Sequence, residues 1–116
     1  MRKPQPYTKL NPPPLTPSNS DKQQALLIQL AAIPRGQITS YSQLAKAAGL
    51  GNAARWVVQQ LKKLPDDTQL PWHRVISASG RISLPAESAA GQEQRRRLTE
   101  EGITIINDRI STSFFW

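Results

Sequence analysis

The segment Pro71-Trp72-His73-Arg74 holds the single histidine of this 116-residue chain, between a tryptophan and an arginine. Imidazole can deprotonate a neighbouring hydroxyl or thiol near neutral pH, so the histidine first suggests acid–base or nucleophilic catalysis. Its neighbour is an indole, whose N–H donates hydrogen bonds but does not attack, and no serine has nucleophile-elbow spacing. The indole face is instead a stacking platform for a base or an alkyl group. The alternative interpretation is that Trp72 is an ordinary core residue and His73 a buried histidine whose hydrogen bonds are satisfied within the fold.

The absence of cysteine narrows the chemistry further. It excludes disulfides, thiolate metal ligands and thiol nucleophiles, and one histidine without clustered carboxylates does not make a zinc site. We therefore expect no metal, no cofactor and no catalytic residue. No apolar run approaches the roughly 18 residues of a membrane span, and no hydrophobic stretch follows the basic N-terminus. These features predict a cytoplasmic monomer with no membrane contact, nucleoid-associated if the source is bacterial.

The net charge of +7 predicts a polyanionic partner, either nucleic acid or an anionic membrane surface. Its distribution is informative, because no acidic residue occurs between Asp21 and Asp66. Six basic residues occupy that interval: Lys22, Arg35, Lys46, Arg55, Lys62 and Lys63. Helices whose charged side chains are all positive favour contacts with phosphates. A second basic run, residues 95–97, is flanked by glutamates and fits a solvated helix face at least as well.

Proline content and helix signals divide the chain into a tail and a domain. Residues 1–19 hold six of the ten prolines and no apolar period, which predicts a flexible tail, with a polyproline ligand as the alternative. Residues 20–116 form the predicted domain. Its first helix is predicted over residues 21–32, with Ser20 as the N-cap and Gln23 completing a capping box.

The next two helices predict a helix-turn-helix. The second covers residues 41–48, is capped by Ser40 and ends at Gly49, and the third begins after Gly51-Asn52. The third helix has an apolar stripe at helical spacing, formed by Ala54, Val57, Val58 and Leu61. Another face is polar and basic and carries Arg55, Gln59 and Lys62.

A wing is predicted after the helix-turn-helix. Residues 74–77 and 81–83, joined by Ser79-Gly80, have the pattern of a β-hairpin. Beyond it the pattern predicts a fourth helix and a further strand pair, over residues 88–100, 103–106 and 109–111. The predicted fold class is α/β, mostly α, with a winged helix-turn-helix core.

Five short motifs resemble the C-terminal domain of the O6-alkylguanine-DNA alkyltransferases, over about residues 20–102. They are Ile33-Pro34-Arg35-Gly36, Thr39-Ser40-Tyr41, Leu44-Ala45, Ala53-Ala54-Arg55 and Pro71-Trp72-His73-Arg74-Val75. In that family the last motif contains Pro-Cys-His-Arg, and its cysteine takes an alkyl group from guanine O6. Trp72 stands at the cysteine position, which is the mark of the alkyltransferase-like proteins. The interval from Arg55 to Trp72 also matches the family spacing.

The resemblance implies roles at DNA for the matched residues. Tyr41 matches the tyrosine that crowds the phosphate 3′ to the target and helps rotate the nucleotide out, and Arg55 matches the finger arginine that fills the gap. The recognition helix of this family enters the minor groove, where the small Ala53 and Ala54 allow close approach. Trp72 is implied to line the pocket for the extruded base. A core aromatic at Tyr41 and a plain phosphate contact at Arg55 are the alternatives.

The resemblance also implies how the pocket is supported. Arg74 is expected to tie the pocket to the helices. His73 matches the histidine that relays a proton through water to a glutamate, here Glu101, and without a thiol to activate the two are expected to be a structural pair. Ser83 belongs to segment 83–88, which replaces the Tyr-Ser-Gly-Gly pocket loop of the family, so the rim is expected to be different and wider.

These features together predict a non-enzymatic DNA-damage sensor. It is expected to bind O6-alkylguanine in double-stranded DNA, flip the nucleotide beside Trp72 and hand the lesion to nucleotide excision repair proteins. A sequence-specific winged-helix regulator, with Gln59 and Gln60 in the major groove, is the first alternative, although it leaves Tyr41 and Trp72 unexplained. An enzyme, either a transferase with another acceptor or a glycosylase, is the second.

Overall fold

The computed structural model describes residues 18–116, so the predicted tail, apart from its last two residues, lies outside the described part of the chain. Residues 18–116 form four α-helices, two pairs of short strands and two 3-10 turns. They are α1 (Asn19–Ala31), β1 (Thr39–Ser40), α2 (Tyr41–Ala47), α3 (Ala54–Lys62), a 3-10 turn (Trp72–Arg74), β2 (Val75–Ile76), α4 (Ala89–Glu100), β3 (Ile105–Ile106), β4 (Arg109–Ile110) and a second 3-10 turn (Thr112–Phe114). None of these helices is long and apolar enough to cross a bilayer.

Helix α1 begins two residues before the predicted start. Ser18 Oγ accepts from the Asp21 N–H at 3.1 Å, and Asp21 Oδ2 accepts from the Ser18 N–H at 3.4 Å, which completes a capping box. The predicted cap of Ser20 with Gln23 is therefore wrong. A carboxylate in the first turn also complements the positive end of the helix dipole, which an amide does not. Gln23 instead donates to Gln60 Oε1 at 3.0 Å and links α1 to α3.

Helices α2 and α3 form the predicted helix-turn-helix. Ser40 Oγ caps α2 by accepting from the Gln43 N–H at 3.1 Å, which confirms the predicted cap. In α3 only Val57 of the predicted apolar stripe is fully buried, and its other members are half-buried. Trp56 and Leu61 also pack against the core that Val57 enters. The helix-turn-helix is thus held by one side of α3, and the opposite side remains exposed.

Strand β2 separates two hydrophobic cores. The first lies among the N-terminal helices and contains Leu26, Leu30, Ile33, Leu44, Ala45, Val57 and Val75. The second lies under α4 and the C-terminal strands and contains Ile38, Ile76, Ile82, Leu98, Ile103 and Ile110. Successive side chains of a strand point to opposite faces, so Val75 enters one core and Ile76 the other. The residues directly after the Trp72–Arg74 turn are therefore buried on both sides.

The predicted wing is correct at its turn and wrong in its strand pairing. The Gly80 N–H donates to the Ser77 carbonyl at 3.0 Å and the Ser77 N–H to the Arg81 carbonyl at 3.2 Å, but the two arms form no ladder. Residues of β2 pair in parallel with β1, in the register Thr39 with Val75 and Ser40 with Ile76. Gly80 and Ile82 lie along β4 instead, with hydrogen bonds of 2.8 Å to the backbone of residues 108–110. A strand that pairs in parallel has its partner in a distant part of the sequence, so no local pattern reveals it. The apolar run of β2 is also too short for its periodicity to distinguish a hairpin arm from a strand buried on both faces.

The C-terminal elements follow the predicted order. Ser88 Oγ accepts from the Gly91 N–H at 3.0 Å and caps α4, which ends at the predicted Glu100. Strands β3 and β4 pair antiparallel, within the predicted ranges but shorter. The two residues between them, Asn107 and Asp108, have φ of 52° and 61°, the conformation that two-residue hairpin loops require and that Asn and Asp tolerate.

Candidate nucleic-acid interface

The Trp72–Arg74 turn is fixed by hydrogen bonds from its own backbone and from α4. The Trp72 N–H donates to the Leu70 carbonyl at 2.9 Å, and the Arg74 N–H to the Pro71 carbonyl at 3.1 Å. The buried Gln94 amide donates to the carbonyls of His73 and Val75, both at 3.2 Å. This single side chain anchors the middle of the turn and the first residue of β2 to α4.

Glu101, the residue after α4, binds the other side of the turn. His73 Nε2 and Arg74 Nη2 each lie 2.7 Å from Glu101 Oε2. Arg74 Nε and the Gly36 N–H donate to Oε1 at 2.9 and 2.8 Å. Arg74 Nη1 also donates to the Ile33 carbonyl at 2.8 Å. The carboxylate thus connects the turn, the end of α4 and the loop between α1 and β1.

Charge and burial set the protonation states of this cluster. Burial alone raises the pKa of Glu101, but hydrogen bonds from Arg74, Gly36 and His73 outweigh it and lower that pKa to about 2. Burial lowers the pKa of His73 below 6.5, more than the neighbouring carboxylate raises it. At neutral pH a neutral imidazole therefore donates its Nε2–H to an ionised Glu101. The opposite nitrogen, His73 Nδ1, is buried and has no hydrogen-bond partner among residues 18–116.

The half-buried indole of Trp72 lies between two side chains. The His73 ring meets it edge-on, with centroids 6.2 Å apart and planes at 89°. The guanidinium carbon of Arg97, on α4, lies 5.6 Å from the indole centroid, within cation–π range. Arg97, His73 and Glu101 line an open groove of about 430 Å³, to which Tyr41, Trp72 and Ser83 do not contribute. This groove therefore shares His73 with the predicted base pocket but none of its other residues, Tyr41, Trp72, Arg74 and Ser83.

The predicted DNA-contacting residues lie on α2 and α3. Tyr41 is the first residue of α2, is half-buried and packs against the first core. Ala53 and Ala54, at the start of α3, are half-buried. The remaining three are exposed at spacings of four and three residues, on one side of α3: Arg55, Gln59 and Lys62. Of the predicted pocket residues, Ser83 is exposed in the loop before α4.

The ion pairs of the described residues are concentrated in their C-terminal half. Every ion pair within residues 18–116 joins partners between positions 73 and 108. Each arginine of the 95–97 run pairs with a carboxylate, which favours the solvated-face interpretation of that run. None of the six cations between Asp21 and Asp66 has a carboxylate partner in the described residues. The helix-turn-helix half therefore carries six of the eight described lysines and arginines without a carboxylate partner, and Arg81 and Arg109 are the other two.

Gln94 is the functional residue that the sequence interpretation missed. It follows Gly91 by three residues and precedes Leu98 by four, and all three are buried on one side of α4. A polar side chain on an otherwise apolar stripe needs a buried hydrogen-bond partner. A glutamine on the apolar side of the predicted fourth helix was therefore the available sequence signal. It indicated a buried hydrogen bond but not that its acceptors lie in and just after the Trp72–Arg74 turn.

A family model of the DNA-binding domain of 6-O-methylguanine DNA methyltransferase matches residues 21–103. The chain belongs to this family. It is of the alkyltransferase-like type and not a cysteine alkyltransferase, because it contains no cysteine. The mostly helical fold expected from the resemblance is confirmed by the structural match to this domain.

Curated relatives support this placement. The chain is 46% identical over 76 residues to a DNA base-flipping protein of Escherichia coli, a match that covers 66% of this chain and 57% of that protein. It is 44% identical over 73 residues to alkyltransferase-like protein 1 of Schizosaccharomyces pombe, which covers 63% and 68% of the two chains. The chain thus spans little more than half of the E. coli relative.

A solved structure gives the same placement. The crystal structure of S. pombe Atl1 in complex with damaged DNA containing O6-carboxymethylguanine superposes with a TM-score of 0.80 at 31% identity. The superposition covers 86% of this chain and 98% of Atl1. The correspondence therefore extends over nearly the whole of Atl1.

Proposed function

We propose that this protein senses alkylation damage in DNA without repairing it. It binds double-stranded DNA carrying O6-alkylguanine through the minor groove and flips the damaged nucleotide into a pocket beside Trp72. The observation that carries the proposal is an unreactive indole at the position of the reactive cysteine, on a turn that Glu101 and Gln94 hold in place. The S. pombe relative crystallised with O6-carboxymethylguanine DNA and the E. coli relative named for base flipping support it.

Helix α3 supplies the DNA-binding surface in this proposal. Its exposed side carries Arg55 and Lys62, which lack carboxylate partners within residues 18–116 and are free to contact phosphates or to enter the duplex. Arg55 fills the gap left by the extruded nucleotide. Ala53 and Ala54 place no long side chain at the start of the helix, so its backbone can approach the groove closely.

The energetics favour lesions over intact base pairs. Extruding a nucleotide costs a few kcal/mol, and less for a poorly paired base, which already favours O6-alkylguanine. Stacking of the extruded base on an aromatic ring contributes about 1–3 kcal/mol. Because the chain has no cysteine to accept the alkyl group, the complex ends at binding, and the alkyl group stays on the base.

A binding comparison tests the proposal. Affinity is measured for one duplex with and without a single O6-methylguanine, in several flanking sequences and at fixed salt. The proposed sensor binds the modified duplex more tightly in every context. Equal affinity for both duplexes would contradict it. Incubation with alkyl-labelled DNA provides the second check, since label transferred to protein, or free base released, would identify an enzyme.

Substitution of Trp72 by Ala tests the proposed pocket. Loss of the stacking platform is expected to lower the preference for modified over unmodified DNA by about tenfold or more, within the usual energy of a stacked base. Trp116→Ala is the control, because Trp116 is an exposed aromatic that belongs neither to the turn nor to the predicted pocket. A Trp72→Ala protein that binds damaged DNA as tightly as the parent would show that the pocket lies elsewhere.

We further propose that the bound complex marks the lesion for nucleotide excision repair and shields it from alkyltransferases. In a reconstituted excision system, the protein is expected to raise incision at a defined O6-alkylguanine, and Trp72→Ala is not. It is also expected to slow alkyl transfer by an added alkyltransferase. If the protein binds the lesion but incision does not increase, the proposed handover to nucleotide excision repair is wrong.

The sequence-specific regulator gains no support from α3. Gln59 and Gln60 were its candidate base readers, and Gln60 Oε1 accepts a hydrogen bond from Gln23 of α1. Gln59 alone remains exposed. One free amide gives at most one base contact, which is too little for the sequence readout that this alternative requires.

A further inference from the structure

The backbone of Trp72 is fixed more firmly than its side chain. Gln94 and Glu101 hold the turn on two sides, but neither forms a hydrogen bond with the indole. Within residues 18–116 the indole Nε1–H makes no hydrogen bond, and the ring meets His73 only edge-on. A tryptophan ring has two side-chain torsions that can reorient its plane. The orientation of the stacking surface therefore depends on what lies against its face.

Arg97 is the residue that covers one face of the indole. Its guanidinium lies 5.6 Å from the ring centroid, and Arg97 Nε is held by Glu93 Oε2 at 2.6 Å. Glu93 and Arg97 are one turn apart on α4, so the helix itself sets the height of the cation. With one face occupied, an incoming base can stack only on the opposite face.

We propose that Arg97 is a positioning residue that orients the Trp72 indole for lesion recognition. This inference rests on the proposed function, because it assumes that Trp72 is the stacking surface for the flipped base. Arg97 acts through the indole and not through a phosphate. Its positive charge is attracted to the face of the ring, which favours one orientation of the indole plane.

Arg96 is a matched control on the same helix. It binds the same Glu93 carboxylate, with Nη2 2.6 Å from Oε2, and also pairs with Glu100. Its side chain is 54% exposed, against 27% for Arg97, and it does not cover the indole. Replacement of either arginine by methionine removes the same charge from the same ion-pair network, and only Arg97→Met removes the cation from Trp72.

Binding to paired duplexes, with and without O6-methylguanine, separates positioning from a phosphate contact. Arg97→Met is expected to lower the ratio of the two affinities by about three- to tenfold, the range of a cation–π contact, and to leave unmodified DNA affinity and its salt dependence unchanged. Arg97→Lys, which keeps a cation, is expected to lie between parent and Arg97→Met. Arg96→Met keeps the parent ratio. If Arg97→Met instead weakens both duplexes equally and reduces the salt slope by about one, Arg97 contacts a phosphate and the proposal is overturned.

Fluorine NMR tests the contact without DNA. With 5-fluorotryptophan incorporated, the Trp72 resonance is assigned by its loss in Trp72→Phe. It is expected to shift or broaden in Arg97→Met and to keep its position in Arg96→Met. A Trp72 resonance unaffected by Arg97→Met would refute the positioning role even if lesion preference is intact. A parent protein without lesion preference but with this shift would refute the proposed function and leave the contact itself established.

Discussion

An indole in place of a thiol changes what the neighbouring histidine does. The pKa of His73 is lowered by burial and that of Glu101 by its hydrogen-bond donors, so a neutral imidazole donates to a carboxylate at neutral pH. A relay needs an acidic group that gives up a proton, and Trp72 has none. We therefore propose that the pair is structural, and that Glu101 holds His73 and Arg74 of the turn against the end of α4 and the α1–β1 loop.

Replacing Arg55 by Ala tests the proposed gap-filling role. Loss of a side chain stacked inside the duplex is expected to weaken binding to O6-methylguanine DNA by about tenfold, and to weaken binding to unmodified DNA much less. Lys46→Ala is the control, since Lys46 is an exposed, unpaired cation on α2. Fluorescence anisotropy titrations of both duplexes give the comparison. An equal loss on both duplexes would make Arg55 a plain phosphate contact.

Acid titration tests the Glu101 cluster. The folded-state pKa of Glu101 is about 2 against 4.5 when unperturbed, so its contribution to stability is complete above pH 4.5 and is lost as pH falls towards 2. A shift of this size corresponds to about 3 kcal/mol for a side chain only 4% exposed. Glu101→Gln is expected to be less stable at neutral pH and to have a flatter stability profile between pH 4.5 and 2.

Urea denaturation at a series of pH values measures this effect. Glu100→Gln is the matched control, because Glu100 is adjacent in sequence and exposed. It is expected to retain the acid sensitivity of the parent. Parallel loss of stability in the two variants between pH 4.5 and 2 would show that Glu101 is not the titrating group.

At the scale of elements, local chemistry predicted helices better than strands. Ser40 and Ser88 cap α2 and α4 through hydrogen bonds three residues away, so their signals lie within one turn of sequence. Strand β2 pairs with β1, and that parallel contact leaves no local pattern. The wing was predicted from neighbouring segments because proximity in sequence was the only available guide.

In the candidate site, too, contacts between residues distant in sequence were harder to predict than local features. The bond between His73 and Glu101 joins residues 28 apart and was predicted only through the family resemblance. Gln94 corresponds to no quoted motif and was missed, although it binds the middle of the turn and the residue that follows it. The type of residue at position 72 was readable from sequence, but the Arg97 cation over its face depends on how α4 packs against the turn.

Gly91 couples α4 to the loop that is expected to border the pocket. A Cβ at this position would overlap the Pro85 carbonyl oxygen, and the backbone of Gly91 is ordinary helix. Gly91→Ala is therefore expected to destabilise the domain by about 1–3 kcal/mol through overpacking and to displace the 83–88 loop. Ala90→Ser, on the exposed side of α4, is the control. Thermal melting measures the loss, and an unchanged melting temperature would contradict this packing.

At the scale of the whole molecule, the separation of charges predicts a salt dependence. Six cations without carboxylate partners lie between Asp21 and Asp66, whereas the arginines of α4 are already paired. If about five of the six contact phosphates, the slope of log K against log salt is expected to be about −4.5. Replacing Lys62 and Lys63 by Met is expected to reduce its magnitude by about two, in titrations at several salt concentrations. A slope near zero would exclude a phosphate-bound α3.

Strand β2 makes the two cores mechanically dependent on each other. Val75 and Ile76 are adjacent, and each belongs to a different core, so neither half can loosen without disturbing the backbone that follows Trp72. The domain is therefore expected to melt in one cooperative transition. A ligand held at the turn would slow hydrogen exchange of amides in both halves, including those far from the bound base. Binding of one base in a small pocket would then be detectable as slower amide exchange throughout the domain.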